Sequence, residues 1–231
     1  MELKNYYFIA SPLSESLTHK DFSWLMSRGV EKKYLRSAVI FEEGDLPKGV
    51  YILNRGKVKL FQRTLSGSDQ IMNIHVAGEM IGYRPLLSNE RYPVSATALE
   101  PCAITFISKK HFLTLVERSF ALSSTLLKFL SHEFTVWVNT ISLHSSTTVK
   151  ERLLLNLLIL SVKYREKNKW PIRISLAKAD LACLVGTSNE TLARMLKILK
   201  AEKLISARGR ALEFSGPDQL KRIQKTVSLL A

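Results

Sequence analysis

Cysteine is scarce in this chain, which has only Cys102 and Cys183 among its 231 residues. The two are far apart and form no CxxC pair, so the sequence offers neither a disulfide framework nor a cysteine-based metal or redox motif. An iron–sulfur cluster is excluded as well, because it needs about four cysteine ligands. We expect Cys183 to be a small buried thiol.

Long apolar runs are also absent. The longest uncharged stretch, Phe134–Val149, is interrupted by Asn139, His144 and several Ser and Thr residues. It is too short and too polar to cross a bilayer. The first residues, MELKNYYFIASP, lack a basic segment followed by an apolar run, so no signal peptide is evident. We therefore expect a cytoplasmic protein without a membrane partner.

Acidic residues are too few to balance the basic ones: 20 Asp and Glu face 34 Lys and Arg, which gives a net charge of +14. Residues 150–231 hold 17 basic and 7 acidic side chains, whereas residues 1–149 hold 17 and 13. Positive charge concentrated in one part of a chain is the electrostatic footprint of a phosphate-binding module. The length and the 46% hydrophobic content are sufficient for a full core, which we expect to be divided between two domains.

The stretch LACLVGTSNETLARMLKILKAEKLI, residues 181–205, has the spacing of a helix-turn-helix. Gly186 is predicted to end the first helix, and the hydroxyls of Thr187 and Ser188 can cap the second. Apolar side chains recur at helical spacing on both sides of this turn. They are Leu181, Leu184 and Val185, then Leu192, Met195, Leu196 and Leu199.

Polar residues lie between the apolar positions of the second helix. Arginine is the usual bidentate partner of guanine, and glutamate can accept a hydrogen bond from cytosine N4. Glu190 and Arg194 are four residues apart, so they share one helical face and could read the same or neighbouring G·C pairs. Two other interpretations stay open. Thr187 and Glu190 also fit a capping box, and Glu190 with Arg194 also fits a surface ion pair.

A basic hairpin is predicted after this motif, over Ile205–Phe214. Its tip, Arg208-Gly209-Arg210, would contact phosphates as the wing of a winged helix, although a solvated turn is the alternative. Before the motif we predict an apolar helix over Val149–Tyr164 and a short strand over Ile172–Leu176. The segment 145–148 is the expected hinge.

The N-terminal half reads differently. Residues 1–35 are predicted to be a short helical lead-in, and residues 38–107 to form short β segments in a closed all-β roll. Glycines separate the segments, at Gly44, Gly56, Gly67, Gly78 and Gly82. The segments are Ala38–Glu42, Gly49–Leu53, Lys57–Arg63, Asp69–Val76, Ser95–Glu100 and Ala103–Ile107.

A long helical pattern follows, from Lys109 to Leu143. Its apolar stripe is predicted to pack on a second copy of the chain, and packing on the chain's own roll is the alternative. The predicted dimer contacts are Leu122, Leu126, Leu130, Trp137 and Ile141.

The order of β-roll, long helix and winged helix-turn-helix resembles the cyclic-AMP receptor protein / fumarate-nitrate reductase regulator (Crp/Fnr) family of bacterial transcription factors. The segment GTSNETLARMLKILKAEKLISARGR is similar to the family pattern Gly-x-[Ser/Thr]-x-Glu-Thr-[Leu/Val]-x-Arg. The resemblance covers nearly the whole chain and implies an α+β fold. It has a cyclic-nucleotide-binding-like jelly roll (1–117), a dimerisation helix with hinge (118–145) and a winged helix-turn-helix (146–231).

The resemblance implies a homodimer that binds double-stranded DNA at an inverted repeat with a TGA-like core in each half. Glu190 and Arg194 would read the central G·C pairs, and Asn189 stands where the family varies. Ala177 departs from the usual Ser or Thr cap, while Lys178 beside it can contact a phosphate. The candidate DNA-binding residues are Lys178, Thr187, Ser188, Asn189, Glu190, Arg194, Lys197, Arg208 and Arg210.

The roll resembles the family's sensor domain at Gly56-Lys-Val, Gly78-Glu79 and Gly82-Tyr83-Arg84. Cyclic-nucleotide members place a glutamate after the last of these glycines and an arginine before a Ser/Thr-Ala pair. Here Tyr83 and Val94 stand in those places, which argues against cyclic AMP, and no cofactor is assigned. For some other effector, the candidate contacts are Tyr83, Arg84, Arg91 and Ser95.

Other interpretations of these effector residues stay open. Arg84 and Arg91 could instead be surface cations or salt-bridge partners. His75 is expected to be a packed roll residue rather than a haem ligand. The effector is unidentified, and a regulator that needs none fits the sequence equally well.

Two other classes of function compete with a DNA-binding regulator. A cupin-type metal enzyme would need several histidines in the roll, where only His75 lies in a predicted strand. A nucleotide-sensing module that controls a protein partner would not need the basic C-terminal third. We therefore predict a transcription regulator that is not an enzyme, with RNA polymerase as a candidate further partner.

Overall fold

The structure is a computed structural model that describes residues 2–8, 12–64, 67, 69–166 and 169–227. It contains two compact units. One spans Phe8–Phe134, and the other combines Met1–Tyr7 with Thr135–Ala231. Among the described residues, no helix has both the length and the apolar character needed to cross a membrane.

The first unit is an antiparallel β-roll of two four-stranded sheets. One sheet has the strand order β1-β8-β3-β6, and the other has the order β2-β7-β4-β5. The predicted roll is therefore confirmed. The strands are β1 Val30–Tyr34, β2 Val39–Phe41, β3 Gly49–Arg55, β4 Lys57–Arg63, β5 Asp69–Val76, β6 Met80–Ile81, β7 Ser95–Ala98 and β8 Cys102–Ser108.

Short helices accompany the roll: α1 Leu13–Ser16, α2 His19–Met26, α3 Tyr83–Ser88 and α4 Lys109–Arg118. The helical lead-in predicted over residues 1–35 is wrong at its end, because Val30–Tyr34 is strand β1, paired with β8. β1 lies at the edge of its sheet and exposes nearly every residue. Its sequence, VEKKY, therefore lacks the apolar alternation that reveals a half-buried strand.

Helix α5, Phe120–Ser146, follows a break at Ser119 that the sequence pattern did not predict. The Ser119 hydroxyl accepts a hydrogen bond from the Leu122 N–H at 3.3 Å and donates one to Asp21 at 2.6 Å. The contact with Asp21 fixes the start of α5 against α2, and the contact with Leu122 caps α5 itself. A side-chain oxygen at this place satisfies an N–H that has no partner inside the helix.

Two of the predicted dimer contacts, Leu122 and Leu126, are wrong. Leu122 and Leu126 are 0% and 3% exposed in the core that α5 shares with α4 and the roll, and Leu130 packs against that core. Leu122 and Leu126 fill the subunit's own interior and are unavailable to a second chain, so the alternative of packing on the roll holds for them. Leu130 is only half-buried and stays a predicted dimer contact. Trp137 is half-buried and Ile141 is exposed.

Another face of α5 carries large apolar side chains that are exposed to solvent in the single chain. Leu127, Phe134, Val138 and Ile141 are 66%, 72%, 50% and 70% exposed. Leu127, Phe134 and Ile141 recur every seven residues, and Val138 lies four residues after Phe134. This spacing is the heptad pattern of helices that pack on each other. We call these four residues the α5 heptad face.

The second unit contains the predicted winged helix-turn-helix. Its helices are α6 Val149–Lys163, α7 Lys178–Val185, α8 Asn189–Ala201 and α9 Pro217–Thr226, and its strands are β9 Ile172–Ile174, β10 Ser206–Arg208 and β11 Ala211–Phe214. The strands form one antiparallel sheet in the order β10-β11-β9. At the other end of the chain, Tyr6 packs with Leu143 and Leu155 in a small core of this unit.

Candidate DNA-binding surface and sensor roll

The turn between α7 and α8 is built as the sequence predicts. Gly186 ends α7 in the left-handed conformation (φ 68°, ψ 56°), which glycine adopts without the steric cost of a Cβ. Arg152 on α6 holds this turn: its Nε donates to the Val185 carbonyl at 3.1 Å, and its Nη2 donates to the Gly186 carbonyl at 3.5 Å. Sequence reasoning missed Arg152, because nothing in a helical pattern reveals a contact with carbonyl groups about 30 residues away.

Ser188, and not Thr187, caps α8. Its hydroxyl accepts a hydrogen bond from the Thr191 N–H at 3.2 Å, so the capping box of Thr187 with Glu190 is not formed. Glu190 is exposed in the first turn of the helix. Its pKa lies below the ordinary value because its own backbone N–H and the Ser188 hydroxyl hydrogen-bond to the carboxylate. An ionised carboxylate is a hydrogen-bond acceptor, as contact with a base amino group requires.

Helix α8 has one buried and one exposed face. Leu192, Leu196 and Leu199 are buried. The exposed positions include Asn189, Glu190, Ala193, Arg194 and Lys197, which we call the reading face. Among the described residues, no carboxylate lies within 4.0 Å of the Arg194 guanidinium, so the alternative of a Glu190–Arg194 ion pair is not formed.

The wing lies in the same unit. Strands β10 and β11 pair from Ser206 with Glu213 to Arg208 with Ala211, and Gly209 at the tip has φ +61°. Nothing lies near the Cβ position of Gly209, so it is the positive φ, and not lack of space, that favours glycine there. Arg208 and Arg210 flank it and are exposed.

Lys178 is the first residue of α7, after Ala177, which supplies no side-chain cap. The side chain of Lys178 is exposed, whereas Thr187 in the turn is half-buried. The departure from a Ser or Thr cap that the sequence indicated therefore leaves the start of α7 without a capping hydroxyl.

Several other cations of this unit are already paired. Lys150 lies 2.7 Å from Glu202, Arg173 lies 2.9 Å from Glu213, and Arg222 donates to the Glu202 carbonyl at 3.0 Å. By contrast, the cations predicted to contact DNA have no carboxylate within 4.0 Å in the part of the chain that the structure describes. These are Lys178, Arg194, Lys197, Arg208 and Arg210. Exposed unpaired cations on a helix and a hairpin are suited to phosphates and base edges.

In the roll, Tyr83 and Arg84 both contact one carboxylate. The Tyr83 hydroxyl donates to Glu133 Oε1 at 2.5 Å, and Arg84 Nε lies 3.2 Å from Glu133 Oε2. Tyr83 is only 5% exposed. Burial raises the pKa of its hydroxyl above the ordinary value, and the charge of Glu133 adds to the shift, so the hydroxyl stays protonated and donates.

The other two candidate effector residues contact a loop elsewhere in the roll. Arg91 Nη1 donates to the Gly44 carbonyl at 2.8 Å, and the Ser95 hydroxyl accepts from the Glu43 N–H at 3.0 Å. Ser95 also lines an open cleft of about 380 Å³. The other residues of that cleft are Val39, Glu42, Glu43, Phe61 and Arg63.

The positions that resemble the family's cyclic-nucleotide site lack the groups that such a ligand needs. Such a ligand needs an acceptor for its ribose hydroxyl and a free cation for its phosphate. Tyr83 and Arg84 are engaged with Glu133, and Val94 carries no charge. A buried phosphate without a cation would be strongly unfavourable.

His75 is held by protein side chains inside the roll. Its Nε2 lies 3.0 Å from the Asn73 amide nitrogen, and its Nδ1 lies 2.7 Å from Glu79. All three side chains are buried. Among the described residues, no group of three or more His, Cys, Asp or Glu side chains is arranged to hold a metal ion.

Comparison with known proteins agrees with this geometry. Residues 31–119 match the family model of the cyclic nucleotide-binding domain, and residues 151–223 match that of the Crp-like helix-turn-helix domain. The chain is 28% identical over 212 residues to the transcriptional activator protein Anr of Pseudomonas protegens, covering 90% of this chain and 86% of Anr. It is 27% identical over 195 residues to the cyclic AMP receptor protein of Thermus thermophilus, covering 84% and 88%.

Among solved structures, FixK2 from Bradyrhizobium japonicum has the same fold, with a TM-score of 0.74 at 18% identity, over 84% of this chain and 96% of that one. The sensor-type roll and the exposed reading face define a DNA-binding transcription regulator. Both family models and the curated relatives indicate the same family for this chain. The chain belongs to the Crp/Fnr family.

Proposed function

We propose that the protein acts as a homodimer whose two α8 helices enter successive major grooves of an inverted-repeat DNA site. The α5 heptad face supports the dimer, because four large apolar side chains at least 50% exposed on one helix are costly in water. Two-fold related recognition helices read half-sites about one helical turn apart. Acting on genomic DNA places the protein in the cytoplasm.

The reading face gives each half-site its sequence. Arg194 donates to guanine O6 and N7, and Glu190 accepts from cytosine N4, so both read G·C pairs. Asn189 is suited to adenine, whose N6 and N7 match the carboxamide. Ala193 is exposed between them and presents one methyl group, which suits the thymine methyl. Sequence reasoning missed Ala193, although its position one turn after Asn189 indicates that both lie on the same face.

Phosphate contacts complete the interface. Lys178 at the start of α7, Lys197 on α8 and Arg208 with Arg210 on the wing supply positive charge without sequence preference. Ser188 serves as the N-cap of α8, and Thr187 is half-buried in the turn. These two therefore position α8, and any contact they make with DNA is through the phosphate backbone.

The observation that carries this proposal is the row of unpaired cations on α8 and the wing. Selection of bound sequences from a random duplex pool tests it, with the Arg194→Ala variant selected in parallel. We expect the parent to enrich an inverted repeat and the variant to lose preference at one base pair of each half. Enrichment of direct repeats or of no sequence by the parent would refute the proposal.

RNA polymerase is the further partner that we infer. Anr is named a transcriptional activator, and an activator acts on the polymerase at a promoter. Transcription in vitro from a promoter carrying the selected site would give more product with the protein if it activates. Less product would mean that it represses and would remove the reason to infer a polymerase contact.

A further inference from the structure

The cluster of Tyr83, Arg84 and Glu133 joins two elements of the roll unit. Tyr83 and Arg84 open helix α3, directly after Gly82, whose φ of +83° turns the chain there. Glu133 comes from α5, 50 positions further along the chain than Tyr83. The Glu133 side chain is 14% exposed and the Arg84 side chain 36%. The cluster is therefore mostly shielded from water.

The contacts of Glu133 are those of a bound anion. One carboxylate oxygen accepts from a buried tyrosine hydroxyl, and the other lies beside a guanidinium. A hydroxyl and an arginine pointing at the same place would bind a small carboxylate or a phosphate from solution in the same way. Here the chain supplies the anion itself.

Nearby charge opposes a second anion. Glu79, buried at the turn before β6, lies close enough to Tyr83 to raise the pKa of that hydroxyl further. His75 Nδ1 lies 2.7 Å from Glu79, so this carboxylate is part of the same buried cluster. An anion entering from solution would meet two carboxylates and would have to displace one of them from Arg84.

We propose that Glu133 is an internal ligand: its carboxylate takes the place of an anionic effector, holds α3 to α5, and positions α5 for DNA binding without any added nucleotide. This inference rests on the proposed homodimer. Phe134 of the α5 heptad face is the next residue after Glu133. Fixing Glu133 therefore fixes the part of α5 that meets the second subunit.

Chemical rescue tests the proposal in the full-length protein. The DNA affinity and the thermal midpoint are measured for the parent, for Glu133→Ala and for Glu117→Ala, an exposed glutamate on α4 that serves as the control. We expect Glu133→Ala to bind DNA about tenfold or more weakly, because the buried hydrogen bond from Tyr83 and the ion pair with Arg84 are both lost. Acetate or formate should restore part of that loss, since either fits the vacated site. For the parent and the control, the DNA affinity in acetate or formate should equal the DNA affinity in chloride at the same ionic strength.

A milder variant covers the case in which Glu133→Ala does not fold. Tyr83→Phe removes one hydrogen bond and keeps the ring, and we expect a smaller loss of DNA affinity in the same direction. If neither variant changes DNA affinity, or if acetate has no effect on Glu133→Ala, the proposal fails. Parent protein that binds DNA only after cyclic AMP or cyclic GMP is added would also overturn it. A parent that binds no duplex under any condition would refute the proposed function instead.

Discussion

The candidate sites of the two units differ in whether their charged side chains are paired. In the roll, Arg84 and Lys57 have partners in the same unit: Arg84 lies beside Glu133, and Lys57 lies 2.9 Å from Glu100. In the winged helix, the cations of α8 and the wing are exposed and have no carboxylate within 4.0 Å among the described residues. A paired, buried charge holds a fold together, whereas an unpaired, exposed one is available to a partner. The unpaired cations are the reason why we propose that the second unit binds DNA.

Helix α5 shows a similar contrast between buried and exposed apolar side chains. Disrupting its heptad face should have the largest effect of all the substitutions. Changing Phe134 to Glu removes one large apolar contact from each subunit, each worth about 1.5–3 kcal/mol when buried, and introduces two like charges that would face each other. We expect the dimer dissociation constant to rise by a factor of roughly a hundred or more. Sedimentation equilibrium measures it, and DNA affinity should fall in parallel.

The control for this change is Lys128→Glu, an exposed α5 position beside the heptad face. It also adds a glutamate to the helix but removes no apolar contact, so the dimer should persist. If Phe134→Glu remained a dimer as tight as the parent, the subunits would associate through some other surface.

Arg194→Ala tests the unpaired charge that we propose to read the DNA sequence. It should cost about 1–3 kcal/mol of binding free energy on the selected site and relax discrimination at one base pair. Lys200→Ala, an exposed cation on the same helix outside the reading face, is the matched control. Competition binding with each substituted half-site measures both quantities. Unchanged discrimination in Arg194→Ala would remove that residue from base reading.

Structural features that depend on neighbouring residues could be predicted from the sequence, whereas features that depend on contacts between distant residues could not. The turn at Gly186, the reading face and the wing depend on neighbouring residues, so their spacing was sufficient. Helix α5 was harder because it is apolar on two faces, and periodicity alone does not say that Leu122 meets the roll while Leu127 is exposed. The contact between Tyr83 and Glu133 joins residues 50 positions apart, and no local sequence pattern predicts it.

Lys197→Ala and Arg208→Ala should each have a moderate effect that does not depend on sequence. An unpaired cation that contacts a phosphate releases about one counterion on binding, so its removal should lower the slope of log affinity against log salt by about one. Arg173→Ala, which removes a cation paired with Glu213, should leave the slope unchanged. Titrations from low to moderate salt measure it. Equal slopes for the parent, Lys197→Ala and Arg208→Ala would show that these two residues do not contact phosphates.

The smallest expected effect concerns Ala193, which tests whether an apolar group on the reading face also takes part in recognition. Replacing one thymine of the selected half-site with uracil removes only its methyl group. If Ala193 packs on that methyl, the parent should bind the uracil duplex about fourfold more weakly, since one buried methyl is worth about 0.8 kcal/mol. The Ala193→Gly variant should bind both duplexes with the same affinity, because glycine has no side-chain methyl group that could contact the thymine methyl group. A scan of every thymine that leaves the parent unaffected would show that the reading face uses only its polar side chains.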